Sequence, residues 1–321
     1  MDLCICLICE ELFNPDNDTI NICDACIIKN DKIKTHEYKP EPVFYGSDVG
    51  FLGIELEVKA MPEHDDYAIS SDVEKIESYL DDPNFWYYKN DNSIGIDKNG
   101  EGVELVSHPA TLDYWQDEAG KDLDTLYHFY KKHGYTSHRN STCGLHVHAS
   151  KSLLGDDPAS VIARLIILTE HIYSDLIKFS RRTHDQLRKW CTLQPVYEIK
   201  KSLLQSCDFN DDQSLGQYIL SDPNYYNHGR KNVLWNLTHE NTIELRLNKG
   251  TLNPETIMAC IELAHAMVIV AKQLTRQQLL ELNLSNIPAV AEQYGSSYDN
   301  LIAYLSKRGF YGGEDYTDDE Y

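Results

Sequence analysis

The sequence predicts an α+β protein in which long helices pack on one face of a largely antiparallel sheet. Three observations favour this class: segments that alternate apolar and polar residues, two long apolar segments that each begin with a capping residue and a proline, and the lack of a regular strand–helix–strand repeat. The chain has 321 residues, of which 42 % are hydrophobic and 25 % are charged, so a large core is available.

Four segments are predicted to be strands because apolar and polar residues alternate along them: VGFLGIELEVKA, GVELVSHPA, CGLHVHAS and NTIELRLNKGT. Two shorter segments are predicted to be helices. SSDVEKIESYL begins with Ser71 and Glu74 in the spacing of a capping box, and KDLDTLYHFYKKHG is closed by Gly134.

Two long core helices are predicted from their start signals and wide apolar stripes. DDPASVIARLIILTEHIYSDLIKFSRR is read as one helix with Asp157 as its cap and Pro158 at its first position. NPETIMACIELAHAMVIVAKQL begins in the same way at Asn253 and Pro254. His265, inside the second helix, is interpreted as a hydrogen-bonded core histidine.

The domain organisation follows from composition. Residues 1–30 form a cysteine-rich segment, 31–48 a polar linker, 49–310 the main domain and 311–321 an acidic tail. Two Cys-x-x-Cys pairs in the first segment predict a structural zinc site: Cys6, Cys9, Cys23 and Cys26. Cys4 is an alternative to Cys6; disulfides or free thiols are the other interpretations. Zinc would supply the folding energy of this segment, which is expected to stabilise the protein or to dock a protein partner.

Charge and targeting signals narrow the location and the partners. A formal net charge of -22 disfavours nucleic acid as a partner, because such binding depends on neutralising phosphates. The N-terminus shows no secretory signal, and the apolar run 257–271 contains Glu262 and is too short to cross a bilayer. A cytoplasmic protein without a membrane segment is expected.

Three of the predicted strands each place two ionisable side chains on one face, because residues i and i+2 of a strand point the same way. A wet sheet face explains any one of these strands, but such faces favour Thr, Lys, Ser and Gln. The pairs are Glu55 with Glu57, His146 with His148, and Glu244 with Arg246, and the strand GVELVS adds Glu104. Clustered carboxylates would repel one another unless divalent cations neutralise them, so the set indicates a Mg²⁺ or Mn²⁺ and phosphate site.

Arg246 suits a site where negative charge develops on a transferring phosphoryl group, because a guanidinium does not lose its proton. Arg230 is a second candidate for the same task. The chain has neither a Walker loop nor a kinase-type glycine loop. Cys143 as a thiol nucleophile and the His-x-His pair as the centre of a metal-dependent hydrolase are the alternatives.

The serial order of these motifs resembles the amidoligase family, which shares the fold of glutamine synthetase and glutamate–cysteine ligase. The matching pieces, between Phe51 and Leu274, are GIELE, NDNSIGIDKNGEGVELVSHPAT, CGLHVH, RKNVLWNL and NTIELRLNKGTLNPE. The resemblance implies that 49–310 is a catalytic domain of this fold. It also implies ATP-dependent activation of a carboxylate to an acyl phosphate, followed by attack of an amine from a small molecule or peptide.

The resemblance also implies roles for individual residues. Metal ligands would be Glu55, Glu57, Glu104, His146 and Glu244, while His148, Arg230 and Arg246 would face the nucleotide phosphates or the phosphorylated intermediate. Asp91 and Ser93 match a stretch that could deprotonate or orient the amine. A catalytically inactive binding module with the same fold is a further alternative, although every member of the charged set is present.

Overall fold

The structure is a computed structural model. It describes residues 32–47, 50–60, 66–91, 93–94, 102–139, 141–192, 211–221 and 233–312, together with the backbone of 4–5 and 12–13. The four predicted zinc ligands, Arg230 and residues 313–321 of the acidic tail lie outside this part of the chain.

The described strands are β1 (Cys4–Ile5), β2 (Leu12–Phe13), β3 (Ile33–Lys34), β4 (Leu52–Lys59), β5 (Trp86–Asn90), β6 (Gly102–Ser107), β7 (Gly144–Ser150), β8 (Trp235–Asn236) and β9 (Thr242–Lys249). Among the described strands, β1 pairs only with β2. The other seven form one sheet in the order β3-β5-β6-β4-β7-β9-β8. β3 runs parallel to β5 and every other pairing in this sheet is antiparallel, so the sheet is mixed.

The described α-helices are α1 (Asp66–Glu77), α2 (Leu112–Tyr114), α3 (Gly120–Lys132), α4 (Pro158–His171), α5 (Tyr173–Ser180), α6 (His184–Trp190), α7 (Asp212–Ser221), α8 (Pro254–Gln273), α9 (Arg276–Leu279), α10 (Ile287–Ala291) and α11 (Asp299–Lys307). A π-helical turn, Trp115–Ala119, joins α2 to α3. Helices and a mixed sheet in one chain confirm the predicted α+β class.

One face of the sheet is apolar and belongs to the core. Alternate residues of β4, β6, β7 and β9 are almost fully buried there, among them Leu56, Leu105, Val147 and Leu245. Helix α8 packs against β4 and β7, and α5 packs against β9. Alternation thus turns the other residues of these strands toward the opposite face.

The start signals of the two long helices are confirmed. Asp157 accepts a hydrogen bond from the backbone N–H of Ser160, and Asn253 accepts one from Thr256. The first long helix is nevertheless two helices, because α4 ends at His171 and α5 begins at Tyr173, after the non-helical Ile172. Helix α5 ends at Ser180, and the next residue, Arg181, has a left-handed φ of 60°. The prediction of one continuous helix was therefore wrong.

The shorter helices and the predicted linker agree only partly with their sequence signals. Helix α1 begins at Asp66, so Ser71 lies inside it and is not its cap. Gly134, with a φ of 77°, follows the end of α3 as predicted. Part of the segment predicted as a linker supplies the edge strand β3.

Helix α8 is long and apolar enough to cross a membrane by length and composition, but 83 % of its apolar stretch is buried inside the protein. It is the central core helix of this domain, and α11 packs along it. His265, in this helix, is buried and hydrogen-bonded to the hydroxyl of Tyr298 at 2.9 Å, which confirms its interpretation as a core histidine.

Candidate metal centre

Strand register brings the predicted ionisable side chains together on the face of the sheet opposite the core. Glu57 lies directly opposite Glu104, Glu55 opposite His146, and His148 opposite Glu244. Paired positions on one sheet face have Cβ atoms only about 5 Å apart. The central strands β6, β4, β7 and β9 therefore form one continuous charged surface.

A β-bulge adjusts this surface beside His146. The register between β7 and β9 shifts by one residue between Leu145 and Val147, so that β9 carries one residue more than β7. Bulges of this kind re-aim side chains and are frequent next to functional sites. Arg246 lies on the same side of the sheet as Glu244 and forms an ion pair with it.

The first carboxylate cluster contains Glu57, Asp91 and Glu104, each of which has an oxygen within 4.8 Å of an oxygen of the others. Lys89, on β5, pairs with Glu104 at 2.8 Å. Ser93 holds Asp91 in place by donating its backbone N–H and its hydroxyl to the two carboxylate oxygens, at 2.7 and 2.9 Å. This cluster offers oxygen ligands only.

Charge crowding in this cluster raises two carboxyl pKa values. Burial, followed by the charge of Asp91, raises the pKa of Glu57 to about 8 despite a hydrogen bond from the backbone of Gly144. Burial and Glu55 raise the pKa of Glu104 to about 7, although Lys89 opposes the shift. Without a further cation, these groups resist being ionised together.

The second cluster contains Glu55, His146 and Glu244. Nδ1 of His146 lies 3.5 Å from a Glu55 oxygen and 3.3 Å from a Glu244 oxygen. This nitrogen is buried and has no hydrogen-bond partner among the described residues. Nε2 of the same ring is 3.9 Å from Glu57, so His146 stands between the two clusters.

Imidazoles and a guanidinium around the second cluster keep its carboxylates ionised. Burial alone would raise the pKa of Glu244, but His239, His146, His148 and Arg246 hold it well below its usual range. The pKa of Glu55 is likewise lowered, because His148 and His146 outweigh the effect of burial. Burial and the charge of Arg246 lower the pKa of His146, which favours a neutral imidazole with a free lone pair.

Arg182 lies beside the clusters although it comes from the segment between α5 and α6. Its Nε and Nη2 donate to the backbone carbonyls of Leu247 and Asn248, at 3.1 and 2.8 Å. No described carboxylate forms an ion pair with it, and its side chain is buried. A Cβ on Gly144 would stand 2.8 Å from Arg182 Nη2, so the missing side chain makes room for this guanidinium.

The third group lies where β7, β8 and β9 meet. His239, in the loop between β8 and β9, has its Nε2 2.9 Å from Glu244 Oε2. Asn236 donates to the same oxygen at 2.8 Å, while Nδ1 of His148 lies 3.2 Å from the hydroxyl of Thr242. Burial would lower the pKa of His148, but Glu55 and Glu244 raise it.

The structure thus brings together the predicted set of Glu55, Glu57, Asp91, Glu104, His146, His148, Glu244 and Arg246. Sequence reasoning missed Lys89, Arg182 and His239. Lys89 lies on the same strand face as Tyr87, so alternation along WYYKN could have indicated it, whereas Arg182 and His239 lie in connections without periodicity.

Cys143 does not have the surroundings of a nucleophile. The residue is buried, and burial raises the pKa of its thiol far above the usual range, with the charge of Glu57 acting in the same direction. A thiolate is the reactive form of cysteine, so a thiol hydrolase centred on this residue is disfavoured.

A family model described as "Putative amidoligase enzyme" matches residues 55–268, about two thirds of the chain. The chain therefore belongs to the amidoligase family. The matched region contains all three clusters and leaves out the cysteine-rich segment. The description is that of a ligase, in agreement with the carboxylates and the guanidinium on the sheet. Curated protein sequences give no match.

Proposed function

We propose that the protein is an ATP-dependent carboxylate–amine ligase that forms an amide or isopeptide bond through an acyl phosphate. The observation that carries this proposal is the gathering of two metal-ligand clusters and an arginine on one sheet face of an amidoligase-family chain. Transfer of a phosphoryl group depends on positioning and on neutralising charge more than on protein nucleophiles. The charged sheet face supplies metal ligands and an arginine for these two tasks.

The two clusters fit Mg²⁺ or Mn²⁺. Glu57, Asp91 and Glu104 offer the all-oxygen surroundings that Mg²⁺ prefers, and the raised pKa values of Glu57 and Glu104 support a cation there. Glu55, Glu244 and the unpartnered Nδ1 of His146 would hold a second ion. When bound, these ions would neutralise phosphate charge and polarise the phosphoryl group that is transferred.

Protein cations would complete the neutralisation. Arg246 keeps a buried Nε without a hydrogen-bond partner among the described residues, so it can donate to a phosphate oxygen. His148 would face the nucleotide as well, and Arg230 is assigned the same role from the sequence. Arg182, which pairs with no described carboxylate, is suited to hold an anionic group of the acid substrate or its phosphate.

The proposed reaction needs only ATP, the carboxylate and the amine as reactants. A carboxylate oxygen attacks the terminal phosphorus of ATP and ADP leaves; the amine then attacks the acyl carbon, and phosphate leaves with loss of one proton from the amine. Asp91 lies among the ligands of the first cluster, so we assign it to the metal in preference to the amine proton. The sheet face would hold both reactants in position for this attack.

The wider setting is proposed from the sequence. Motif order supports the glutamine synthetase and glutamate–cysteine ligase fold, and the two Cys-x-x-Cys pairs support structural zinc and a docked protein partner. The proposed location is the cytoplasm. The net negative charge argues against nucleic acid as a partner. Carboxylate and amine compounds are the proposed substrates.

Trapping of the acyl phosphate tests this function. The protein is incubated with ATP, Mg²⁺, hydroxylamine and pools of amino acids and dicarboxylic acids, and both ADP and hydroxamate are measured. The expected result is hydroxamate in amounts equal to ADP. AMP in place of ADP would contradict the acyl-phosphate route, and metal-dependent amide cleavage without ATP would favour the hydrolase.

A matched pair of variants ties the activity to the sheet face. Glu55→Gln removes a carboxylate from the second cluster and is expected to abolish hydroxamate formation. Glu118→Gln makes the same chemical change at an exposed residue whose only described ion pair is with Lys121, and it should leave the rate unchanged. Equal activity of the two variants would contradict the assignment of Glu55.

A further inference from the structure

We propose a third cation site, rich in nitrogen ligands, at the junction of β7, β8 and β9. Its ligands are one ring nitrogen each of His148 and His239 and one oxygen of Glu244, which lie within 4.8 Å of one another. Its occupant is a transition-metal dication such as Zn²⁺, Mn²⁺ or Co²⁺. The site is defined by metal binding, so it can be tested without the ligase activity.

The spacing of the ligand atoms suits a metal ion. Nε2 of His239 and Oε2 of Glu244 are 2.9 Å apart. Two neighbouring ligand atoms of one octahedral metal ion are about 3.0 Å apart when the metal–ligand bonds are about 2.1 Å. The rings of His148 and His239 approach edge to face with centroids 5.1 Å apart. Both imidazoles therefore converge on the same carboxylate.

Hydrogen bonds select which nitrogen of His148 is available. Nδ1 lies 3.2 Å from the hydroxyl of Thr242 and can donate its proton there. The other nitrogen, Nε2, is buried, lies 3.5 Å from a Glu55 oxygen and has no hydrogen-bond partner among the described residues. A metal-binding histidine typically donates its second ring N–H to an acceptor, which fixes its tautomer and orientation. Thr242 is placed to do this for His148.

Glu244 can serve this site and the second cluster together. Its Oε1 pairs with Arg246 and faces His146, whereas its Oε2 accepts from Asn236 and faces His239. A carboxylate with its two oxygens turned to different partners is suited to bridge two cations. Arg246 contacts Oε1, so its positive charge lies on the far side of the carboxylate from a cation bound at Oε2.

The donor set determines the kind of ion. Two imidazoles with one carboxylate favour borderline dications, because Mg²⁺ prefers oxygen ligands and binds nitrogen weakly. The neighbouring cluster of Glu57, Asp91 and Glu104 has the opposite preference. The sheet face thus separates a hard-cation site from a borderline-cation site.

Binding of Co²⁺ to the full chain, in a large excess of Mg²⁺, tests the proposal. Stoichiometry and affinity come from equilibrium dialysis, and visible absorption reports the ligands. The expected result is that His239→Ala binds one Co²⁺ fewer than the unaltered protein, and that the difference spectrum lacks thiolate charge-transfer bands. The cysteine-rich segment contributes equally to both proteins, so the comparison isolates the imidazole site.

Two further variants sharpen the result. Thr242→Val removes the acceptor that orients His148 and is expected to weaken Co²⁺ binding at this site about tenfold or more. Glu104→Gln changes the oxygen cluster and should leave the imidazole-bound Co²⁺ in place. Equal Co²⁺ binding by His239→Ala and the unaltered protein, or displacement of this Co²⁺ by Mg²⁺, would overturn the site whether or not the protein makes amides.

Discussion

Replacing Glu57 by glutamine should stabilise the metal-free protein at alkaline pH while it destroys the proposed activity. The residue is 4 % exposed, and burial and Asp91 raise the pKa of its carboxyl group to about 8 from an ordinary 4.5. Because the folded-state pKa is the higher one, the stabilising contribution of protonated Glu57 is complete below pH 4.5. It is lost as the pH rises through 8.

The expected size follows from this difference. At about 1.4 kcal/mol per pKa unit, ionisation of Glu57 costs the folded state up to about 5 kcal/mol above pH 8. Glutamine avoids that cost, but it loses the charge that strengthens the hydrogen bond from the Gly144 N–H, a loss of about 1–2 kcal/mol. The variant should therefore gain about 3 kcal/mol at pH 8.5 and little at pH 5.

Chemical denaturation in the presence of a chelator measures this gain. The free energy of unfolding is compared between the unaltered protein, Glu57→Gln and the exposed control Glu118→Gln at pH 5 and pH 8.5. Mg²⁺ should stabilise the unaltered protein at pH 8.5 and stabilise Glu57→Gln less. A Glu57→Gln variant that is no more stable than the control at pH 8.5 would refute the reasoning about charge in this pocket.

Three other substitutions address different parts of the molecule. Gly144→Ala would place a methyl group within 2.9 Å of Arg182 and His146. Displacing these side chains by about 1 Å should lower the rate of hydroxamate formation about 100-fold. An unchanged rate would contradict that contact. Glu262→Ala would remove the acceptor of the Leu301 backbone N–H and of the Asn300 amide, whereas the Gln116 amide keeps the carbonyl of Ser297. The free energy of unfolding, measured by denaturation, should fall by about 2 kcal/mol or more. A loss below about 1 kcal/mol would show that the two donors find other partners. Cys9→Ser should release the zinc of the N-terminal segment, and elemental analysis that finds equal zinc in both proteins would contradict the predicted ligand.

Much of the candidate site could be predicted because side chains alternate along a strand. GIELE, GLHVH and TIELRL each show charges on one face and apolar residues on the other, whatever strands lie beside them. Helix starts were equally readable, because Asp157 and Asn253 cap their helices through local hydrogen bonds. These properties depend on residues a few positions apart, so the sequence contains them directly.

Alternation along each strand sets which of its sides is charged, whereas strand order and register set which charges meet. Register placed Glu57 against Glu104, and a bulge in β9 adjusted the surface beside His146. Chain connections brought Arg182 and His239 to the same face without any periodic signal. Strand order and register depend on how whole elements pack around α8, and such long-range packing leaves no repeat in a single strand that could reveal its neighbours.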